Sequence, residues 1–188
     1  MIAYRILHVS DAHGELCELP HAVARHIKEK KRDGAQSESL AAYLLLRTLG
    51  EENGIPDILS QLRFDGGMPT ADGVYVSLSH AGGLVAAAIA DTPVGIDIEP
   101  IRHLPRRDAL GTRYFSPEER ERLIKAPDAQ KDEIFFRIFT EKEAYAKANG
   151  LSLAATVGRD LSHDTPYAQA VARYEKNGIL YVITVILA

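Results

Sequence analysis

The sequence predicts an α+β protein in which strands turn back on one another and helices cover them. Three observations predict it. Val94-Gly95-Ile96-Asp97-Ile98-Glu99-Pro100 alternates as a strand does, and Leu84 to Ala90 is a short, fully apolar run bounded by turns. Phe135 to Gly150 is a stretch of strong helix formers closed by Asn149-Gly150. In coarse order a strand, a helix and further strands occur twice along the chain, with no repeat visible residue by residue. No apolar run approaches the length of a membrane span, and no charged-then-apolar leader opens the sequence, so no membrane partner is expected. With 188 residues, 46% hydrophobic and 26% charged, the chain is ordinary in composition, and one domain or two fused halves are expected. A net charge of −4 argues against a nucleic-acid partner. A single cysteine, Cys17, leaves no internal disulfide and fits a reducing compartment. A cytoplasmic monomer is expected.

Taken in order, Met1 to Ser10 has strand-like composition and Asp11 to Glu18 reads as a loop. Arg25-His26-Ile27-Lys28-Glu29-Lys30-Lys31-Arg32 is the densest basic run, either a solvated helix face or a phosphate-binding arm. Ser37 to Leu49 reads as a helix with Ser37 or Ser39 at its N-cap and Gly50 as its stop. Val74 to Ser79 alternates, Ala81-Gly82-Gly83 turns, and Asp91-Thr92-Pro93 turns again, so three strands are expected in an antiparallel meander. Ile101 to Arg113 reads as a basic loop. Ser116-Pro117-Glu118-Glu119 is a capping box that starts a helix ending near Lys125, and Ala126 to Gln130 reads as a linker into the long helix. Beyond Leu153, two strands flank Lys176-Asn177-Gly178, a tight hairpin, and Tyr181 to Leu187 reads as a buried strand.

Two stretches carry chemistry. Asp97 and Glu99 share one face of their strand, roughly 6–7 Å apart, where two carboxylates repel unless they are solvated or share a cation. Hard oxygens with room for water and substrate phosphate suit Mg²⁺; the solvent face of an edge strand is the plainer reading. On the long helix Phe136, Thr140, Glu143 and Lys147 share a face, and Glu143 and Lys147 can meet over one turn. Lys142 falls among the apolar positions with Phe135, Phe139 and Ala146, so it must snorkel or enter a cleft. An amphipathic helix with one ion pair is the plainer reading here.

Together, Gly95-Ile96-Asp97-Ile98-Glu99, Phe139-Thr140-Glu141-Lys142-Glu143-Ala144-Tyr145-Ala146-Lys147 and the upstream Val76-Ser77-Leu78-Ser79-His80 resemble the 4′-phosphopantetheinyl transferases, of the single-chain, two-half, surfactin-synthetase-activating type. The resemblance runs from about Val74 to Leu153, and Phe139 stands where tryptophan is commoner. It implies two similar α+β halves with antiparallel sheets, related by a pseudo-twofold, here 1–93 and 94–188. It implies transfer of the phosphopantetheine arm of coenzyme A to a serine of an acyl- or peptidyl-carrier protein, with adenosine 3′,5′-bisphosphate released. Asp97, Glu99 and Glu143 would hold Mg²⁺, with Glu143 also the candidate base. Lys142 and Lys147 would contact phosphate, and Lys147 would orient Glu143. Ser79 and His80 would be phosphate ligands, and Lys28 and Lys31 the nearest counterparts of the cations that hold the 3′-phosphate. The acidic carrier would dock near Ile101–Arg113. Glu38 and Met68 depart from the family, each standing where a cation is expected. A non-catalytic carrier-binding relative and a Mg²⁺-dependent pyrophosphohydrolase are the alternatives.

Overall fold

The computed structural model describes residues 2–30, 33–64, 69–161 and 168–188. Lys31, Arg32 and Gly66-Gly67-Met68 lie outside the described residues. The described chain forms two three-stranded antiparallel sheets. One holds β1 (Ile2–His8), β2 (Tyr75–Ala81) and β3 (Leu84–Ala90) in the order β1-β3-β2. The other holds β4 (Val94–Pro100), β5 (Ala168–Lys176) and β6 (Ile179–Leu187) in the order β4-β6-β5. Each sheet has its third strand in the middle, and in each the helices come between the first and second strands. These are α1 (His21–Lys28), α2 (Asp33–Glu52) and α3 (Ile58–Gln61), then α4 (Arg107–Tyr114), α5 (Pro117–Lys125) and α6 (Asp128–Ala148). The α+β class with antiparallel sheets is as expected.

The two middle strands are apolar because both of their faces are covered. Leu84, Ala86 and Ala88 of β3 pack with Ile96, Ile98, Ile183 and Val185 of the other sheet. The alternate residues, Val85, Ala87 and Ile89, pack against Leu45, Leu46 and Leu49 of α2. β6 repeats the pattern, with Ile183 and Val185 toward the first sheet and Thr184 meeting Thr140 of α6. The layers are α2, sheet, sheet and α6. Burial of each full-sized aliphatic side chain contributes roughly 1.5–3 kcal/mol, so these strands specify the layering more strongly than any turn.

Four sequence expectations are corrected. The meander is a hairpin only: β3 already has β1 on one edge and β2 on the other, so β4 pairs with β6 instead. α2 begins at Asp33, ahead of either serine, and continues past Gly50 to Glu52. The stretch from Ala126 to Gln130 is mostly helical, since α6 starts at Asp128 with Pro127 as its N-cap. Half of the basic loop is α4. The hairpin at Asn177-Gly178 is as read: both residues have positive φ, 54° and 75°, which a two-residue primed turn requires.

Gly95 sets the distance between β4 and α6. A Cβ built there would lie 1.8 Å from the Ala144 carbonyl oxygen and 2.7 Å from the Ala148 nitrogen. Both atoms are helix backbone and cannot rotate away, so α6 lies directly on β4 at this point. Gly95→Ala is expected to lower stability by at least the roughly 1–3 kcal/mol of an overpacked core, read from the urea midpoint.

Candidate active site

β4 is an edge strand, and its Gly95-Asp97-Glu99 face is covered by α6 rather than by solvent. Asp97 is only 6% exposed, which excludes the plain surface-strand reading. The edge of β2 lies alongside, joined to β4 by serine side chains. Ser77 Oγ accepts from the Ile96 N–H at 3.0 Å, and Ser79 Oγ donates to Asp97 Oδ1 at 2.7 Å. Lys147 Nζ donates to Asp97 Oδ1 at 2.8 Å and to the Ile96 carbonyl at 3.0 Å. The ion pair of Lys147 is therefore with Asp97 across the helix–strand contact, a correction to the expected pairing within the helix.

Glu99 and Glu143 complete the constellation. With Ser79, His80, Asp97 and Lys147 they line a cleft of about 380 Å³. Burial raises the Glu143 carboxyl above its ordinary range, Asp97 and Glu99 raise it further, and Lys147 opposes them. Burial likewise raises Glu99, against a bond from Arg102, whose NH1 donates to Glu99 Oε2 at 3.2 Å. The charge of Asp97 also raises Glu99, so both glutamates are less at ease ionised because of their carboxylate neighbours. Asp97 Oδ2 is buried and has no hydrogen-bond partner, an arrangement that costs about 1–3 kcal/mol when nothing compensates it. Among the described residues no three His, Cys, Asp or Glu side chains stand close enough to hold a metal ion by themselves.

His80 also lines a second pocket of about 180 Å³ with His26, Lys30, Ser39, Tyr43 and Lys147. Its Nδ1 meets Glu38 Oε2 at 2.8 Å. The His26 ring stacks on Phe64, with centroids 4.5 Å apart, and burial and Lys30 lower its pKa. Of the expected cations, Lys28 is exposed on α1 and lines neither cavity, and Lys31 lies outside the described residues. Lys30 and His26, in the same basic run, face the pocket instead. Nothing local in the sequence marks Phe64, and Ser77, although it stands in the Val76–His80 stretch, gives no local sign of its bond to Ile96.

Lys142, expected from its motif as a phosphate contact, does not line the cleft. It is 1% exposed and ion-paired at 2.8 Å with Glu119, itself 1% exposed. Its ammonium also donates to the Thr156 carbonyl at 3.1 Å and the Arg159 carbonyl at 2.6 Å, so all three of its donors are used inside the protein. Glu119 serves twice, since its Oε2 also accepts the Ser116 N–H of the capping box at 2.8 Å. The pair ties α5, α6 and the segment after Leu153 together.

Residues 93–177 match the 4′-phosphopantetheinyl transferase superfamily. Over that span the chain is similar to that superfamily. The matched span holds Asp97, Glu99, Glu143 and Lys147, the carboxylates and the lysine of the cleft, but not His80 or α1. Among similar proteins is the 4′-phosphopantetheinyl transferase HetI of Nostoc sp. (strain PCC 7120), 34% identical over 147 residues, which are 73% of this chain and 60% of that protein. The transferase psf-1 of Bacillus pumilus is 38% identical over 80 residues, 43% of this chain and 34% of that one. The transferase Sfp of Bacillus subtilis (strain 168) is 28% identical over 87 residues, 46% and 38%. The chain thus spans between a third and three-fifths of the length of these relatives. The alignment with HetI is longer than the second half of the chain and so extends into the first, where the superfamily match does not.

Proposed function

We propose that the protein transfers the 4′-phosphopantetheine arm of coenzyme A to a serine of an acyl- or peptidyl-carrier protein, releasing adenosine 3′,5′-bisphosphate. The observation that carries this reading is the cleft where Asp97, Glu99, Glu143 and Lys147 converge, within the residues that match the superfamily. The serine Oγ attacks the phosphorus that bears the pantetheine arm, the pyrophosphate P–O bond breaks, and the serine proton must be taken up. Glu143, a half-buried carboxylate with raised basicity, is the candidate to accept it. Lys147 brings an ammonium to the cleft and fixes Asp97, and Ser79 orients the same carboxylate through its hydrogen bond. Ser79 therefore acts through Asp97 in this reading.

Asp97, Glu99 and Glu143 are the residues that would hold Mg²⁺, which when bound neutralises charge on a pyrophosphate. The partnerless Asp97 Oδ2 and the mutual repulsion of the carboxylates fit such an ion. Mg²⁺ takes few protein ligands and completes its shell with water and phosphate, so a closed cage of side chains is not required. Residues 1–93 would supply the coenzyme side and 94–188 the catalytic groups, in a reducing cytoplasm suited to the exposed Cys17. No helix among the described residues is long and apolar enough to cross a membrane.

For the carrier, an apolar groove of about 160 Å³ opens beside Glu99 and Arg102, walled by Leu104, Leu110, Tyr114 and Phe139. Two neighbouring arginines that look alike in sequence, Arg106 and Arg107, differ in the structure. Arg107 has a side chain 17% exposed, and its NH1 bonds Asp132 of α6 at 2.8 Å, while Arg106 is exposed. Arg106→Glu is expected to raise KM for an acidic carrier severalfold at low salt and to leave coenzyme binding unchanged. Arg107→Glu is expected to lower the melting temperature instead; an unchanged melting curve would remove the structural assignment. The reading as a whole is tested by mixing the protein with Mg²⁺, coenzyme A and a panel of apo carrier domains and weighing the carriers. No mass gain on any carrier, with coenzyme A bound, would overturn it.

A further inference from the structure

His80, with Leu78 and Lys147, lines both the carboxylate cleft and the pocket beside Lys30 and Tyr43. The ring is held from behind. Glu38, on α2, places Oε2 at 2.8 Å from Nδ1, and its side chain is 28% exposed against 40% for His80. An ionised carboxylate only accepts, so Nδ1 donates to it; a phosphate oxygen also only accepts, so Nε2 must carry a proton as well, and the ring that bridges the two is the imidazolium. A carboxylate beside an anion pocket would oppose an anionic ligand if it faced it unmatched. Here its charge is matched across a hydrogen bond, and Lys30 and Lys147 remain as cations on the pocket wall. We infer that Glu38 is a positioning residue, which fixes the His80 ring so that Nε2 meets a phosphate oxygen where the two cavities join. The inference rests on the transferase reading for the identity of the ligand, coenzyme A. It assigns the departure at Glu38 a use: the carboxylate acts through the imidazole and does not contact the coenzyme.

The test is a double-mutant cycle with Glu38→Ala, His80→Ala and the pair, reading coenzyme A binding by calorimetry and KM and kcat with a carrier. Folding is checked by circular dichroism. Both side chains are partly exposed, so the variants keep their fold. Glu38→Ala is expected to weaken coenzyme A about tenfold in the wild-type background, the loss of one oriented charge-assisted bond, and to change it less than about twofold when His80 is already alanine. The effect falls on KM rather than kcat. Glu38→Gln, whose amide oxygen still accepts from Nδ1, is expected to recover most of the affinity. Tighter binding by Glu38→Ala would show that Glu38 faces the phosphate directly. An equal loss in both backgrounds, or no loss in either, would equally overturn the inference. Wild-type protein that binds no coenzyme A at all would instead remove the transferase reading. In that case inorganic pyrophosphate serves as the probe of the same cycle, and its failure to bind would end the inference as well.

Discussion

Glu143→Gln is expected to reduce transfer at least about a hundredfold, the lower end of what a positioned acid–base group supplies, while raising stability at neutral pH. The two effects have one origin. Burial and the charges of Asp97 and Glu99 hold the Glu143 pKa above its ordinary value of 4.5 in the folded protein. The folded state then binds more protons than the unfolded state between 4.5 and the raised value. Stability therefore falls as pH rises through that window, and the penalty is complete above it. Glutamine carries no charge, so the variant loses the penalty and its melting temperature changes less with pH in this range. Glu99→Gln should move the same way, with its gain reduced by the lost bond to Arg102. Asp97→Asn should abolish transfer too but lower stability, because Lys147, with a side chain 21% exposed, loses its ion-pair partner. Carrier mass and thermal melts from pH 4 to 8 separate the cases. A Glu143→Gln protein that retains a tenth of the turnover, a loss below about 1.4 kcal/mol, would remove Glu143 from the chemistry.

Adding Mg²⁺ should invert the wild-type stability trend if the carboxylates hold the ion, since an ion bound only by the folded state stabilises it by mass action. Glu143→Gln should respond less. This readout needs no substrate and so stands apart from activity.

What was legible in the sequence follows from how far each signal reaches. Period-two and period-3.6 patterns are local, and they located β2, β3, β4 and α6 because each of these buries a regular face. Asn177-Gly178 was legible because two consecutive positive φ values restrict the residues that can occupy them. Strand partnership is not local. Nothing between Ala90 and Val94 tells that both edges of β3 are already filled, by β1 more than seventy positions upstream and by β2, so the meander was the natural and wrong extrapolation. The carboxylate motif was legible as a motif, yet its surroundings were not. The hydrogen bond of Ser79 and the ion pair of Lys147 both reach Asp97 from other elements, and only folding brings them together. Lys147 is four residues from Glu143, but Gly95 lets the helix approach β4 so closely that its ammonium reaches Asp97. The two motif lysines also look equivalent on paper. Their separation by five positions turns them about 140° apart on the helix, so one meets the cleft and the other meets α5.

The largest stability effect is expected at the second of those lysines. Lys142→Met leaves the Glu119 carboxylate 1% exposed with its cation gone, and breaking a buried pair on one side costs roughly 3–5 kcal/mol. The double variant Lys142→Met, Glu119→Gln removes both charges and keeps a side chain that can close the capping box, so it should recover most of that loss. Recovery is incomplete because the Thr156 and Arg159 carbonyls lose their donor, at about 1–3 kcal/mol for each that stays buried. Urea midpoints measure the cycle, and transfer by the refolded proteins gives it meaning for the site. If Lys142 acts only as the tie between α5, α6 and the segment that follows Leu153, activity should return with stability in the double variant. If it contacts the coenzyme in some step, the double variant should fold and still fail to transfer, and coenzyme A should bind it more weakly than the wild type. A double variant that is as stable as the wild type and a hundredfold less active would therefore return Lys142 to the phosphate role that its motif suggested.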